Sequence, residues 1–464
     1  MVSGLAARNG GRLGLAALVV ILALGLGLRL GEAWDGRAPV YDAKAYAAIA
    51  ANLEGGEGFT VGAQATQPSS NYSPGLPLFV AGLYEVTGGE HERFARIALA
   101  VIGSLSVLFA YLIGRRLTRP LPNRPKASEV GSAGIVPALI GAAVVAVYPA
   151  LLEYQGMLMS ETLAATLLSG GVLAVLWSWE GAWWRWLLPG ALLGALALTR
   201  PEYLGVAVLI VAAVFVREAR RDWRLSIARA LVFLGALTVV IAPWTIRNAV
   251  ALDRFVPIST GGGQVLFAGT YLPSDGDPEK VGAEAVAENP DLFSPQDAQR
   301  LRLEQILARL AADRYPEMET DQALSKLGKE QLWDDISAEP GEYAGFVAAK
   351  VTRIWSHGPR DVMREPVWEV LHWALVAFGL TGLVILAWRR RWEALLLGTI
   401  FLAITAVSAL LVASPRRVLV LVPLLAALAG VAIPWFGARL LSSTAYSRVN
   451  SANAPAAPDS LSRP

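Results

Sequence analysis

One feature recurs along this chain and constrains it more than any other: an apolar run long enough to cross a bilayer. Ten such runs stand at Leu13–Leu30 and at about 93–114, 134–152, 161–179, 186–200, 202–217, 228–246, 368–388, 393–413 and 417–436. A hydrocarbon core ~30 Å thick takes about twenty apolar residues in a helix. It holds no water to satisfy exposed backbone, so a lone run must satisfy its own as a helix. The expected fold is an all-α polytopic membrane protein with about ten transmembrane helices. The fifth and sixth runs are short and share the tight turn at Thr199–Pro201.

Composition bears this out and closes other routes. Apolar residues make up 54% of the 464 and charged ones only 17%, where a soluble domain carries about a quarter. Lys and Arg number 40 against 38 Asp and Glu, a net charge of +2, so no bulk charge draws the chain to nucleic acid. The absence of cysteine excludes disulfides, thiolate metal sites and a cysteine nucleophile. The three histidines, at 91, 357 and 372, are too scattered for a multi-histidine metal centre. Gly261–Gly263 lacks the Gly-Lys-Ser/Thr that completes a phosphate loop.

Arg8 and Arg12 precede the first run as they would in a signal peptide, but no small-x-small cleavage site follows, and an uncleaved first helix is expected. With that N-terminus in the cytoplasm, the inner loops hold Arg115, Arg116, Arg119, Arg124 and Lys126, then Arg185, then Arg217, Arg220, Arg221, Arg224 and Arg229. Arg389–Arg391 and Arg439 of the C-terminal tail complete the set. Cationic short loops mark the cytoplasmic side, so both termini are expected there, in a multi-pass plasma-membrane protein. Four arginines break the pattern at the outer ends of spans: Arg200, Arg247, Arg416 and Arg417.

The expected division is a transmembrane catalytic module over 1–244 with a large outer loop at 31–92, an extracytoplasmic region over 245–366, a three-helix module over 367–441, and a cytoplasmic tail over 442–464. The 245–366 region alone has soluble composition, with a helical pattern in Leu301, Leu303, Ile306, Leu307 and Leu310. The tail is rich in Ser, Ala and Pro without periodicity and is expected to be disordered. No internal repeat is visible.

Two large loops on one face and short basic loops on the other put the chemistry on the outer, extracytoplasmic side. In the first loop Asp42, Tyr46, Ile49 and Leu53 fall on one face of a short amphipathic helix. Asp42 is either an N-cap or a working carboxylate. Asn71-Tyr72-Ser73-Pro74-Gly75-Leu76-Pro77 follows as a rigid lead-in to a helix, or a plain connector. Glu161, after Ser160, suits a helix dipole, and an ionisable residue facing a bundle interior is also a functional candidate. Thr199-Arg200-Pro201-Glu202 carries the same two meanings, with Arg200 free to snorkel. Pro243-Trp244-Thr245-Ile246-Arg247-Asn248 reads as an interface anchor. Ser414-Pro415-Arg416-Arg417 opposes the orientation rule and therefore needs a reason; a phosphate ligand supplies one, because the guanidinium fork matches its oxygens.

At these residues the chain resembles the GT-C membrane glycosyltransferases, in the protein-mannosyltransferase and aminoarabinose-transferase group. Asp42-x-x-x-Tyr46 resembles that class's acidic motif in the first outer loop, and Tyr72-Ser73-Pro74-Gly75-Leu76-Pro77 its Pro-rich continuation. Ser160-Glu161 resembles the second acidic position, Thr199–Glu202 the short turn, and Pro243–Asn248 with Pro257–Thr260 and Gly262-Gly263 the start of the large outer loop. The likeness runs from about Leu13 to Pro434, and the order of the motifs tells more than any one of them. A departure is that Tyr72-Ser73 stands where the aminoarabinose transferases have Glu-Lys, implicated in metal and donor binding, which weakens the case for a metal there.

The resemblance implies an inverting transfer of a sugar from a polyprenyl-phosphate-linked donor to a hydroxyl of a lipid, glycan or protein acceptor of the cell envelope. It implies Asp42 as general base and Glu161 as supporting carboxylate. The implied substrate-binding set is Tyr46, Tyr72, Pro74, Arg200, Glu202, Arg247, Arg416 and Arg417, with Arg416 or Arg417 on the donor phosphate. A divalent cation is neither required nor excluded. The competing class is a transporter or lipid flippase without transferase activity, which usually shows paired halves with helices broken at matching positions; no such symmetry is visible. A non-catalytic assembly component is disfavoured by the intact acidic positions.

Overall fold

The structure, a computed structural model, describes residues 2–36, 42–62, 67–119 and 134–452. Every regular element among them is helical. In chain order they are α1 (Val2–Asp35), α2 (Asp42–Glu54), α3 (Gly75–Thr87), α4 (Glu92–Leu117), α5 (Ile135–Val147), α6 (Pro149–Glu153), α7 (Ser160–Ser178), α8 (Leu187–Thr199), α9 (Tyr203–Ala219) and α10 (Trp223–Leu252). Then come α11 (Gly262–Thr270), α12 (Val281–Glu288), α13 (Asp297–Arg300), α14 (Leu303–Arg314), α15 (Thr320–Ala338), α16 (Pro340–Ser356), α17 (Pro366–Trp388), α18 (Trp392–Leu410) and α19 (Arg416–Ala452).

Seven of these helices are long and apolar enough to cross a membrane, and an eighth span forms if α5 and the segment Pro149–Gly156, bent by 48°, count as one. They coincide with eight of the ten expected runs. The other two fold as α8 and α9, of 13 and 17 residues, which at 1.5 Å per residue fall short of the ~30 Å core. The break is chemical: Pro201 has no N–H to continue the ladder, and Arg200 turns toward Glu202 in the same turn and Glu161 on α7.

The bend between α5 and α6 has a cause that the sequence did not advertise. Tyr148 is extended (φ −65°, ψ 115°), as residues before proline tend to be, which frees the last carbonyls of α5. Arg29, 1% exposed toward the C-terminal end of the α1 span, donates to Val145 O at 2.9 Å and to Ala146 O at 3.1 Å. A cation inside the bundle thus satisfies backbone that lipid could not.

α19 is the central post. Its segment Arg416–Ile433 is 89% buried, packed against α4, α5, α7 and α17. Close approach is made by glycines: a methyl added at Gly141, Gly382 or Gly379 would run into the backbone of Ala426, Leu428 or Leu425. Small residues at such crossings are how membrane helices gain van der Waals contact where lipid gives them no hydrophobic drive.

The helix ends lie as follows. α10 carries on through Pro243 to Leu252, past the 244/245 boundary, because the helix closes only at Asp253, which takes the left-handed conformation (φ 51°). Helix α19 is assigned as far as Ala452. Ser160 is the first residue of α7, whose cap position, Met159, makes no side-chain bond. The positions 37–41 ahead of Asp42, Arg124 and Lys126 of the basic loop, and 453–464 lie outside the described residues.

The soluble-like stretch folds as α11–α15 around a core that includes Phe267, Ala285, Ile306, Leu307 and Leu324. Its link to the first loop is direct, Thr260 N donating to Ser70 O at 2.8 Å, and Trp244 Nε1 of α10 donates to Ile258 O at 2.6 Å. The basic ends of the spans gather on the opposite face, where Arg391 donates to Arg119 O at 2.8 Å, Arg116 pairs with Glu180, and Arg229 with Glu218.

Candidate active site

Four chain segments far apart in sequence meet at one point. Asp42 is the first residue of α2, Glu161 lies in the first turn of α7, Arg200 and Glu202 form the turn between α8 and α9, and Arg416 opens α19. The lead-in before α3 locks this arrangement: a Cβ on Gly75 would lie 2.7 Å from Thr199 N and Cα, so only glycine lets Pro74-Gly75 rest on that turn. Tyr46 is buried beneath Asp42, its ring 5.6 Å edge-on from that of Tyr72.

Arg416 bridges two of the carboxylates. Its Nη1 is 3.1 Å from Asp42 Oδ2 and its Nε 2.5 Å from Glu161 Oε1. Arg200 Nη1 approaches the same Glu161 oxygen at 3.2 Å, while its Nε donates to Glu202 Oε1 at 2.9 Å. Arg417 lies 3.8 Å from Glu202 and donates to Val412 O. Three carboxylates are thereby matched by three guanidiniums, which is how a charged cluster tolerates enclosure. The carboxylates differ in access: the Asp42 side chain is 39% exposed and that of Glu161 0%. The other oxygen of Glu161, Oε2, is buried without a hydrogen-bond partner.

A polar cavity of about 160 Å³ opens here, lined by Asp42, Tyr46, Ser73, Ser160, Thr199, Arg200, Pro201, Glu202, Ser414 and Arg416. Ser414 and Arg416 also line a second, larger polar cleft of about 830 Å³. This holds Arg353, His357, Arg360 and Arg364, none of them singled out in sequence. Their trace there was a basic series around Gly358-Pro359, between the amphipathic α16 and the apolar α17. Arg360 has φ +92° and ψ 153°, a conformation a non-glycine residue holds only at a cost; it is anchored by Glu153 at 2.6 Å. Met363 lines this cleft and also an apolar groove of about 210 Å³ between α5, α17 and α19.

Of the ten residues expected at a site, Asp42, Tyr46, Arg200, Glu202 and Arg416 line the smaller cavity, and Glu161 and Arg417 stand behind it in the charge cluster. Tyr72 and Pro74 support it from the lead-in. Arg247 does not join: its guanidinium donates to Ser69 O at 2.8 Å and Phe59 O at 3.2 Å, tying α10 to the first loop. A divalent cation finds no place ready, because Asp42 and Glu161 converge on a guanidinium instead. Among the described residues no group of three His, Asp or Glu is arranged to hold a metal.

Fold and site together define a polytopic membrane protein with a buried acid–arginine cluster under two large loops. No protein-family model matches the chain, and no curated protein resembles it in sequence. Among solved structures it superposes on the archaeal oligosaccharyltransferase AglB from Archaeoglobus fulgidus, in complex with an inhibitory peptide and a dolichol-phosphate. The TM-score is 0.54 at 15% identity, over 97% of this chain and 52% of that one. The apo form of the Archaeoglobus fulgidus oligosaccharyltransferase gives 0.55 at 16%, over 96% and 53%. ArnT from Cupriavidus metallidurans bound to undecaprenyl phosphate follows at 0.40 and 15%, over 91% and 79%, a score too low to argue from. The likeness shows that the fold is shared with those oligosaccharyltransferase structures. The chain spans about half the length of the oligosaccharyltransferase structures it matches.

Proposed function

We propose that this protein is an inverting membrane glycosyltransferase that moves a sugar from a polyprenyl-phosphate donor to an acceptor hydroxyl. The observation that carries the proposal is the open carboxylate of Asp42, held by Arg416 where a polar cavity meets a larger mixed cleft, which shares the wall residue Met363 with an apolar groove. A lipid-linked sugar needs those three environments in that order. The fold neighbour in complex with a dolichol-phosphate supports the same donor class.

In the proposed reaction Asp42 takes the proton of the acceptor hydroxyl as its oxygen attacks the anomeric carbon. The bond from that carbon to the phosphate oxygen breaks, and the phosphate leaves with the electron pair. Arg416 and Arg417, the expected phosphate ligands, are already committed to carboxylates. Arg353, Arg360 and Arg364 face the larger cleft, paired there with Asp277, Glu153 and Asp361, and add to Arg416 the positive charge that meets the developing one. Glu161 holds Arg416 and Arg200 in place and takes no proton. The prenyl chain lies in the groove along Leu371, Leu375 and Phe378.

The arginine-rich loops support an orientation with both termini cytoplasmic and the cleft extracytoplasmic, in the plasma membrane. The acceptor, whether envelope lipid, glycan or protein, is open, as is the choice of hexose or pentose. The test is mass analysis of lipid that co-purifies with the protein, followed by transfer and flux assays in proteoliposomes. A bound polyprenyl phosphate and glycosylated acceptor are expected; vectorial flux without transfer favours the flippase.

A further inference from the structure

We infer that Arg416 occupies the position between Asp42 and Glu161 that a divalent cation would need, and that the site works as a fixed, arginine-bridged carboxylate pair without metal. The inference rests on the proposed transferase site and concerns what orients its base.

Two carboxylates aimed at one point repel each other, and proteins settle that with a shared proton, a cation or a guanidinium. Here the third solution is built in. Nη1 reaches Asp42 at 3.1 Å and Nε reaches Glu161 at 2.5 Å, so two different edges of one planar fork take the two acids. Lysine, a point charge on a flexible stem, has no such pair of edges.

The bridge is also supported from its own helix and from Tyr154. Arg416 is the first residue of the central helix, follows Pro415, and has its guanidinium carbon 5.8 Å from the centre of the Tyr154 ring. Arg200 fills the next position on Glu161, at 3.2 Å. One oxygen of each carboxylate is therefore claimed by a guanidinium, which can be neither chelated nor deprotonated. Arg416 is thus a positioning residue: it holds one oxygen of Asp42 and leaves the carboxylate open to the cavity.

The test uses the full chain in detergent or nanodiscs, with Mn²⁺ as the probe followed by electron paramagnetic resonance. Wild type is expected to bind no stoichiometric Mn²⁺. The Arg416→Ser variant is expected to gain one site, which a second substitution, Glu161→Gln, removes. In the transfer assay, EDTA leaves wild-type turnover unchanged, and Arg416→Lys lowers kcat on the order of 100-fold through misplacement of the base, with KM little altered. One Mn²⁺ bound by the wild type and lost in Glu161→Gln overturns the inference. So does turnover that EDTA abolishes and Mn²⁺ restores, and so does a folded Arg416→Ser that gains no site. If Arg416→Ser does not fold, the wild-type measurements decide alone. Absence of transfer with the expected Mn²⁺ pattern overturns the transferase and leaves the bridge standing.

Discussion

The charge cluster makes a sharp prediction about two carboxylates that sequence cannot rank. Glu161 is fully enclosed, and one of its oxygens holds Arg416 at 2.5 Å and Arg200 at 3.2 Å. Glu161→Gln turns a balanced set of three acids and three guanidiniums into two and three, within low-dielectric surroundings. Removing one partner of a buried pair costs about 3–5 kcal/mol. Since the Arg416 side chain is 31% exposed, the lower end of that range, about 3 kcal/mol, is the reasonable figure. Asp42 is different. Its side chain is 39% exposed, so its pair with Arg416 behaves as a surface ion pair, and Asp42→Asn costs about 0–1 kcal/mol. Thermal unfolding followed by tryptophan fluorescence, in one detergent and at one scan rate, separates the two. The expected result is a midpoint lowered by several degrees for Glu161→Gln and nearly unmoved for Asp42→Asn, with transfer lost in both. Equal stability of the two variants would refute the assignment of Glu161 to structure and Asp42 to chemistry.

Three further outcomes follow from other parts of the molecule. Lys350 on α16 donates to Gly269 O and, at 2.7 Å, to Ala409 O; burial, helped by nearby Arg417, pushes its pKa down to about 7. The unfolded lysine keeps its proton to about pH 10.4, so between these values the unfolded state binds more protons and stability rises with pH; pH-dependent melting should show this, and Lys350→Met should flatten it. Gly75→Ala places a methyl 2.7 Å from Thr199 N and Cα, and should cost about 1–3 kcal/mol by overpacking and slow transfer by shifting Arg200, read from melting and turnover together. Leu375→Trp in the apolar groove should reduce the amount of co-purifying polyprenyl lipid without lowering the melting midpoint; unchanged lipid would place the prenyl chain elsewhere.

Much of the fold was readable because lipid permits so few solutions. Eight apolar runs became spans for the reason that any such run must. The two that did not, α8 and α9, were limited by a proline and by an arginine whose partners lie 39 and 2 residues away. The motifs singled out Asp42, Glu161, Arg200 and Glu202, and the loop-charge rule singled out Arg416 and Arg417 as exceptions, which are worth a functional reading; the fold brings the six together. Their pairing was not readable. Arg416 looked like a phosphate ligand because nothing local could balance it; its partners stand 374 and 255 positions earlier in the chain. Arg247 obeyed the same local logic and went to loop carbonyls instead. Arg29 sat unnoticed inside an apolar run, since its reason to be there is a helix bend more than a hundred residues away.

The most direct test of the central claim is a single-turnover transfer assay on purified protein in proteoliposomes, with a radiolabelled polyprenyl-phosphate sugar, comparing wild type with Asp42→Asn. Loss of a general base predicts a rate lowered by about 10²–10⁴-fold, with donor binding and folding retained. A folded Asp42→Asn that transfers sugar at the wild-type rate would contradict the account.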